Sequence, residues 1–327
     1  MQPHEPSRRR VLAAGRRVAL LLEPFAPARL VHVSPHLRVA CGDEVLVEGE
    51  RVLEIIPRKS VLARARLHHD DAVGAQVIAA NIDVVAVCCP LDRPLRPGFI
   101  ERALALAHAG GARPLVLLTK SDLCGDLAAA MEEASAVAAG AEVLALSAFD
   151  QDTVDVLKAM MPAPETVVLL GASGAGKSTL TNALLGAATQ ETNEVRGSDS
   201  RGRHTTTRAR LLPLPWGAFL VDTPGVRTLG LAADDDDVAA AFPEVDALSA
   251  RCRFRDCAHD TEPGCAVRAA VAEGALAEAR LSSWHKLHAE LARHRAKTDP
   301  LAAASLKRAA RSLSRAVKEV SKRKRPG

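Results

Sequence analysis

Aromatic side chains are scarce in this chain of 327 residues, which contains six Phe, two Trp and no Tyr. Any contact with nucleic acid should therefore depend mainly on Lys and Arg meeting phosphate, because few rings are available to stack on bases. Uninterrupted apolar runs are also short, and none approaches the roughly 20 residues that a membrane-spanning helix needs. We therefore expect no association with a membrane.

Cysteines are few, and they do not form the dense pairs of a secreted disulfide protein. The seven of them make an odd set, which favours a reducing, cytoplasmic compartment. We expect four of these thiols to be small buried hydrophobic groups: Cys41, Cys88, Cys89 and Cys124.

The formal net charge is only +4, but positive charge accumulates in the last stretch of the chain. After Leu306 only Glu319 offsets the basic residues. Those at helical spacing are Lys307, Arg308, Arg311, Arg315, Lys318 and Lys322, and they are followed by Arg323, Lys324 and Arg325. Such a stripe is either a solvated helix face or a surface for an anionic partner. The local excess favours RNA phosphate.

A basic run opens the chain, and residues 7–12 (SRRRVL) faintly resemble a twin-arginine export signal. Arg16 and Arg17 interrupt the apolar stretch that follows, so we interpret the run as an ordinary basic leader. Short β-type runs separated by turns then extend from Arg17 to about Leu67, and they predict a small OB-like β-barrel. The first predicted domain, residues 1–73, therefore comprises a basic leader and this barrel.

Strand and helix patterns alternate after the barrel, between residues 76 and 246. The alternation predicts a parallel sheet with helices on both faces, and we assign residues 74–246 to an α/β domain. Residues 247–327 hold a cysteine cluster and two helical segments, 267–297 and about 300–324. They are predicted to form a zinc-binding helical module with a basic tail.

A phosphate-binding loop is the most specific motif in the sequence, and it lies between the strand TVVLLG and a helix predicted to begin at Lys177. Backbone N–H groups of the glycines wrap the phosphates, Lys177 reaches the β and γ oxygens, and the Ser178 hydroxyl binds Mg²⁺. The loop comprises Gly171, Ala172, Ser173, Gly174, Ala175, Gly176, Lys177, Ser178 and Thr179.

Further motifs at other strand ends favour guanine over adenine. Asp122, in the segment Thr119, Lys120, Ser121 and Asp122, can accept hydrogen bonds from guanine N1–H and its exocyclic amine. A backbone N–H of Ser147 or Ala148 can reach the guanine O6. Asp222 adjoins the Mg²⁺ shell, and the N–H of Gly225 can meet the γ-phosphate.

The order of these motifs is reversed relative to ordinary GTPases, because the base-reading segments precede the phosphate loop. Cutting a domain and rejoining it elsewhere preserves a site in space when the termini lie close together. The sequence therefore predicts a circularly permuted P-loop GTPase.

Four metal-ligand residues lie within fourteen positions near the C-terminus. Cys252, Cys257, His259 and Cys265 offer three thiolates and one imidazole, a complete set for one structural Zn²⁺ with no position left for a catalytic water.

The permuted order, the segment GRHTTT at 202–207, the DTPG motif and the cysteine cluster together resemble the RsgA (YjeQ-type) family of ribosome small-subunit-dependent GTPases. The resemblance covers roughly residues 40 to 290 and implies GTP, Mg²⁺ and Zn²⁺ as cofactors. It also implies hydrolysis during late maturation of the small ribosomal subunit, with that subunit and its rRNA as partners of a monomeric protein. Thr119 departs from the Asn that many GTPases have at its position.

The water-positioning group is not the usual one. Val226 stands where Ras-like enzymes carry a glutamine, and its side chain cannot form a hydrogen bond. His204 can hold a water instead, and the family resemblance also marks it as the catalytic candidate. The resemblance assigns the switch threonine to the triplet Thr205, Thr206 and Thr207, and we favour Thr206.

Two other functions are compatible with parts of this pattern. A non-enzymatic zinc and RNA-binding protein could use GTP as a structural ligand, although Lys177, Ser178 and Asp222 favour turnover. A P-loop kinase acting on a small molecule conflicts with the segment 119–122 and with the basic zinc module.

Overall fold

The computed structural model describes most of the chain and divides it into two compact units. The first unit comprises residues up to 64 together with 76–223, and the second comprises residues 235–298. The described residues are 6–15, 17–23, 26–64, 76–186, 209–223 and 235–298.

Five strands close into a barrel, because the two ends of the series β1-β2-β3-β5-β4 also pair with each other. Small apolar side chains, mostly Val, fill the interior, and burial alternates along β2 and β4 as one inward face requires. The strands are β1 Ser7–Ala14, β2 Val18–Leu22, β3 Arg29–His32, β4 Glu44–Glu48 and β5 Arg51–Ile55. The expected OB-like barrel is thereby confirmed.

The basic run that we assigned to a leader is the first barrel strand, β1. Val11 is fully buried in the barrel core, while Arg9 pairs with Glu23, the residue after β2. A run of arginines conceals the strand pattern in the sequence, because the partners of these side chains lie far away along the chain.

The last predicted barrel strand also pairs elsewhere. β6 (Val61–Arg64) forms a two-stranded antiparallel sheet with β7 (Gln76–Ala80). The barrel approaches β7 at Gly42, where φ is +84° and an added Cβ would lie 2.2 Å from the Ala80 carbonyl oxygen. Only glycine fits this contact.

A parallel sheet forms the centre of the first unit, in the order β10-β9-β8-β11-β13, with antiparallel β12 beside β13. Helices pack against it, and α1 begins with Pro97, which suits a first helical position. The strands are β8 Val84–Pro90, β9 Arg113–Thr119, β10 Glu142–Leu146, β11 Thr166–Leu170, β12 Arg210–Pro213 and β13 Phe219–Asp222. The helices are α1 Pro97–Ala109, α2 Leu127–Val137, α3 Gln151–Ala159 and α4 Lys177–Leu185.

Four helices are described in the second unit, and the loop that carries the cysteine and histidine cluster lies between α6 (Pro243–Ser249) and α7 (Ala266–Ala272). Gly274, at φ +76°, interrupts the helix predicted over 267–297, because a left-handed residue ends α7. Among the described residues, no helix is long and apolar enough to span a bilayer. The helices are α5 Asp235–Ala241, α6 Pro243–Ser249, α7 Ala266–Ala272 and α8 Glu278–Thr298.

Three of the four cysteines outside the cluster are buried as predicted: Cys41, Cys88 and Cys89. Burial raises the pKa of each of these thiols to about 12, so they stay protonated and act as apolar groups. The prediction is wrong for Cys124, which is only half-buried because it ends the short 3-10 helix Ser121–Leu123 at the surface.

Arg10 of β1 joins the barrel to the parallel sheet. Its guanidinium donates to the Asn81 carbonyl oxygen at 3.2 Å and to the Thr166 hydroxyl, and it lies 4.5 Å from the centre of the Phe219 ring. Thr166 and Phe219 are the first residues of β11 and β13. One side chain from the barrel therefore contacts the starts of two strands whose other ends lead to the predicted nucleotide site.

We predict that Arg10→Met destabilises the first unit by about 1–3 kcal/mol, because buried acceptors lose a charged donor. Urea denaturation measures this change. Arg8→Met on the same strand is the matched control: Arg8 is exposed and pairs with Glu44, so its loss should cost less than about 1 kcal/mol. Equal losses from the two variants would contradict the role given to Arg10.

Candidate nucleotide site and zinc centre

The phosphate loop follows β11 and ends where α4 begins, at Lys177 as predicted. Gly171 packs against β8, and an added Cβ would lie 2.9 Å from the Cys88 carbonyl oxygen. Gly174 and Gly176 have φ values of +76° and +81°, in the left-handed region that the turns of anion-binding loops use. Side chains at these three positions would prevent this path of the backbone.

Lys177 is folded back over the loop. Its Nζ donates to the carbonyl oxygens of Gly171 at 2.7 Å and Ala172 at 2.9 Å. The ammonium group therefore already lies at the loop, where it can exchange a carbonyl contact for a phosphate oxygen. Ser178 and Thr179 occupy the first turn of α4, partly exposed, while Ser173 is exposed and Ala175 is buried beneath the loop.

Asp222 ends β13, the parallel neighbour of β11, so its carboxylate lies beside the strand from which the phosphate loop starts. Its neighbour Thr223 is buried. A carboxylate and the Ser178 hydroxyl are oxygen ligands of the kind that Mg²⁺ uses beside a nucleotide. Other predicted site residues lie outside the described residues: His204, Thr205, Thr206, Thr207 and Gly225.

The predicted base-reading segment begins with a direct link to the phosphate loop. The buried Thr119 hydroxyl donates to the Ala175 carbonyl oxygen at 2.8 Å. One hydroxyl therefore ties the strand end to the loop at the position where many GTPases have Asn. Lys120 then adopts a left-handed conformation with φ +60°, which starts the 3-10 helix and leaves Asp122 exposed at the sheet edge.

The loop after β10 supplies the second predicted contact with the base. Ser147 is buried, and its backbone is held by Thr153 of α3: the Thr153 hydroxyl donates to the Ser147 carbonyl oxygen at 3.1 Å and accepts from its N–H at 3.3 Å. Ala148 follows and is partly exposed. Because β8, β9, β10, β11 and β13 are parallel, all these segments lie at the same carboxyl edge.

Two residues at this edge were missed from the sequence, Asp92 and Arg93, which follow β8. The Asp92 carboxylate accepts from Arg93 Nε at 2.7 Å and from Lys120 Nζ at 2.5 Å. Arg93 also lies against the phosphate loop, with Nη2 3.5 Å from the Gly174 carbonyl oxygen. The sequence signal for Asp92 is the same as for Asp122 and Asp222, namely a carboxylate near the carboxyl end of a strand.

Two cationic partners stabilise the charged form of the exposed Asp92 carboxyl and so lower its pKa. Hydrogen bonds from Arg93 and then Lys120 lower it from 3.8 to about 2. A lowered carboxyl pKa means that the ion pair contributes above about pH 4 and is lost as the pH falls toward 2. The link between the base-reading segment and the phosphate loop therefore persists at neutral pH.

The four predicted zinc ligands of the second unit converge, with all ligand atoms within 4.8 Å of one another. His259 Nδ1 lies 3.6 Å from Cys252 Sγ and 3.5 Å from Cys265 Sγ, and these two sulfurs are 3.9 Å apart. A tetrahedral zinc with usual bond lengths requires about 3.5 Å for such N–S pairs and about 3.8 Å for S–S pairs. The cluster therefore fits one structural zinc.

Hydrogen bonds around the cluster prepare the ligands for a metal. Ser249 donates its hydroxyl proton to the Val245 carbonyl oxygen, so its oxygen accepts from His259 Nε2 at 2.8 Å. This pairing assigns the ring proton to Nε2 and leaves the Nδ1 lone pair free for zinc. Burial raises the pKa of Cys252, but the N–H donors of Val267 and Ala266, together with the thiols of Cys265 and Cys257, outweigh that effect and bring the pKa below its ordinary value.

Glu262 fixes the loop that carries His259. Its carboxylate accepts from the backbone N–H groups of Ala258, Asp260 and Thr261 at 2.9, 2.9 and 3.1 Å. These bonds hold the turn in which His259 adopts φ +60°. Ser249 and Glu262 were not identified from the sequence, because an isolated Ser or Glu near cysteines carries no distinctive pattern.

Along the chain, the phosphate loop comes after the base-reading segments, which is the opposite of the order in an ordinary GTPase. In the sheet, the same segments nevertheless lie at one edge. The fold and site therefore define a circularly permuted P-loop GTPase. Residues 55–232, more than half of the chain, match the family model described as RsgA GTPase. The chain belongs to the RsgA GTPase family. It is a GTP hydrolase that uses GTP and Mg²⁺, with a cysteine and histidine cluster compatible with one structural zinc.

Named relatives cover most of the chain. The "Small ribosomal subunit biogenesis GTPase RsgA" of Xanthomonas euvesicatoria pv. vesicatoria (strain 85-10) is 48% identical over 262 residues, 79% of this chain and 70% of that protein. The protein of the same name from Xylella fastidiosa (strain M23) is 44% identical over 284 residues, 86% of this chain and 84% of that protein.

Two solved structures share the fold. YloQ, described as a circularly permuted GTPase, has a TM-score of 0.63 at 21% identity and covers 88% of this chain and 95% of its own. YjeQ from Thermotoga maritima has a TM-score of 0.64 at 24% identity, over 88% and 98%. An ABC transporter model also matches residues 154–315, a range that contains the phosphate loop but not segment 119–122.

We predict that Asp122→Asn transfers preference from GTP to XTP, because an amide cannot accept from both guanine donors. Discrimination should change on the order of 10⁴-fold. Competition binding with GTP and XTP measures it. The matched control is Asp126→Asn, because Asp126 is also exposed but caps α2 through Ala129 N–H, a role that Asn retains. Unchanged GTP preference in Asp122→Asn would place the base elsewhere.

We predict that Cys257→Ala lowers the zinc content and unfolds the second unit while GTP binding stays largely intact, because removing one ligand opens the metal site. Metal analysis and GTP titration measure the two effects. Cys124→Ala, outside the cluster, should keep about one zinc per chain. The cluster assignment fails if Cys257→Ala also keeps one.

Proposed function

We propose that this protein binds the small ribosomal subunit and hydrolyses GTP during late maturation of that subunit, with hydrolysis stimulated by the subunit. The observation that carries this proposal is the 48% identity, over 79% of the chain, to a protein named for small ribosomal subunit biogenesis. The subunit's rRNA is the proposed contact, and we further propose a monomer that works in the cytoplasm. The domain limits 1–73, 74–246 and 247–327 stay a proposal as well.

The nucleotide-site residues have separate proposed roles. Lys177 neutralises charge on the β and γ oxygens, and the carboxylate of Asp222 and the hydroxyls of Ser178 and Thr206 hold Mg²⁺, which would supply further charge neutralisation. The phosphate loop 171–179 and Gly225 orient the phosphates through backbone N–H groups. The contacts of Lys177 with the loop carbonyls support this assignment, since they keep the ammonium group at the loop.

Guanine recognition is assigned to the segment 119–122 together with Ser147 and Ala148. Asp122 reads the two donors of the base, and Thr119 keeps its segment in register with the phosphate loop through Ala175. The ion pair of Asp92 with Lys120 supports the same assignment, because it fixes Lys120, which lies two positions before Asp122.

Phosphate release in the presence and absence of isolated small subunits tests the function directly. Co-sedimentation with GDP against a non-hydrolysable GTP analogue tests whether the nucleotide sets residence on the subunit. Stimulated hydrolysis and analogue-dependent co-sedimentation support the proposal. If subunits do not change the rate of hydrolysis, the proposal that the small subunit is the stimulating partner is wrong, while the family assignment is unaffected.

We predict that intrinsic hydrolysis is slow and that His204→Ala retains GTP and subunit binding but loses most of the stimulated rate. The reason is that Val226 cannot hold a water, so the imidazole of His204 is the proposed water-positioning group. Single-turnover hydrolysis on saturating subunits measures the effect. His204→Gln keeps a hydrogen-bonding side chain and should recover part of the rate. An unchanged stimulated rate in His204→Ala would remove His204 from the mechanism.

A further inference from the structure

Three exposed arginines and an exposed phenylalanine crowd one loop of the zinc cluster. Arg251, Arg253 and Arg255 alternate with the ligand Cys252 and with Phe254, which is 40% exposed. The Arg253 guanidinium lies 5.5 Å from the centre of the Phe254 ring. In a chain with six Phe and no Tyr, a ring left at the surface among arginines contributes little to a core.

The cluster also holds this loop in place. Cys252 and Cys257 are zinc-ligand positions on either side of Phe254, and the Arg253 N–H donates to the Gly264 carbonyl oxygen at 3.1 Å. Gly264 has φ +77°, and an added Cβ would lie 3.1 Å from Arg253 Cβ. The arginines and the ring are therefore presented on a preorganised backbone, which reduces the entropy lost on binding.

A cavity of about 210 Å³ adjoins the cluster, and the zinc-ligand positions Cys257 and His259 form one side of it, with Phe254 and Arg255 in the rest of its lining. Trp284 of α8 forms another part of the lining, with its ring 5.0 Å from that of His259 and 4.0 Å from that of His288. Asp246 adds an exposed carboxylate. The cavity thus offers flat aromatic surface, a hydrogen-bond acceptor and a guanidinium.

These groups match the chemistry of an unstacked nucleobase. Aromatic side chains stack on bases splayed out of single-stranded or bulged RNA, and arginines beside them meet the flanking phosphates. A carboxylate only accepts hydrogen bonds, so Asp246 favours a base with an exocyclic amine over uracil, whose one N3–H donor lies between two carbonyl oxygens. An acidic peptide would satisfy the arginines but would leave the aromatic surface and Asp246 without suitable partners.

We propose that this cavity binds one unstacked, amine-bearing base of RNA, with Arg251, Arg253 and Arg255 on the neighbouring phosphates. The source of that RNA rests on the proposed function, namely the rRNA of the small subunit. The base-binding site itself is an addition to it, because neither the nucleotide site nor the zinc cluster requires an exposed ring at Phe254.

Trp284 makes the proposal directly measurable. Trp216→Phe leaves Trp284 as the one tryptophan of the chain. Titrating this protein with an eight-nucleotide single-stranded RNA should quench its fluorescence saturably. Two comparison RNAs of the same length should bind several-fold more weakly. One carries an abasic position in every register in which it could bind, and the other consists of uridine alone. Anisotropy of labelled RNA with the unaltered chain checks that Trp216→Phe has not changed binding.

Phe254→Leu and Asp246→Asn are the decisive variants. Phe254→Leu should weaken binding on the order of tenfold, as loss of one stacked base does. Asp246→Asn should reduce the preference for amine-bearing bases over uracil. Arg268→Gln is the control, because it removes an exposed arginine of the same unit that does not line the cavity. Each variant must retain about one zinc per chain.

The proposal is overturned if Phe254→Leu and the abasic RNA bind as tightly as their parents, or if an acidic peptide quenches Trp284 equally. Subunit-stimulated phosphate release is measured in the same variants. If subunits still stimulate phosphate release but the cavity variants bind RNA as tightly as their parents, only the base site is disproved. If subunits do not stimulate the unaltered chain, the proposed function is disproved.

Discussion

The parallel pairing of β8, β9, β10, β11 and β13 is the constraint on which the nucleotide site depends. Each strand delivers a different chemical group at its carboxyl end, and the common direction brings these ends to one edge regardless of their order along the chain. The permutation therefore leaves the site intact. Cross-links such as Thr119 to Ala175 and Asp92 to Lys120 then set the distances between segments that pairing alone leaves adjustable.

Features encoded by local pattern were predictable from the sequence. The phosphate loop and the start of α4 follow from glycine spacing, and the four clustered ligands follow from cysteine and histidine spacing. Features set by distant partners were not. β1 was hidden because Arg10 finds its acceptors 71 and 156 positions away, and β6 pairs with β7 although its pattern fits the barrel equally well.

The zinc centre illustrates how the rest of a site escapes a motif. Ligand spacing indicates which residues could bind a metal, but the tautomer of His259 depends on Ser249, and the turn that presents it depends on Glu262. Both act through single hydrogen bonds or backbone contacts without a recurring sequence pattern. Outer contacts of this kind orient a ligand before the metal arrives, which raises affinity without adding a ligand.

The pairing of β1 with β12 has a consequence for synthesis on the ribosome. Ala13 lies opposite Arg210, so the first strand meets this neighbour only after about 200 more residues have been made. At translation rates of about 5–20 residues per second, that edge of the nascent barrel waits roughly 10–40 s for its partner. Unpaired strand edges attract other chains. β4 covers this side of β1 from Ser7 to Arg10, so the part of the edge that waits is short.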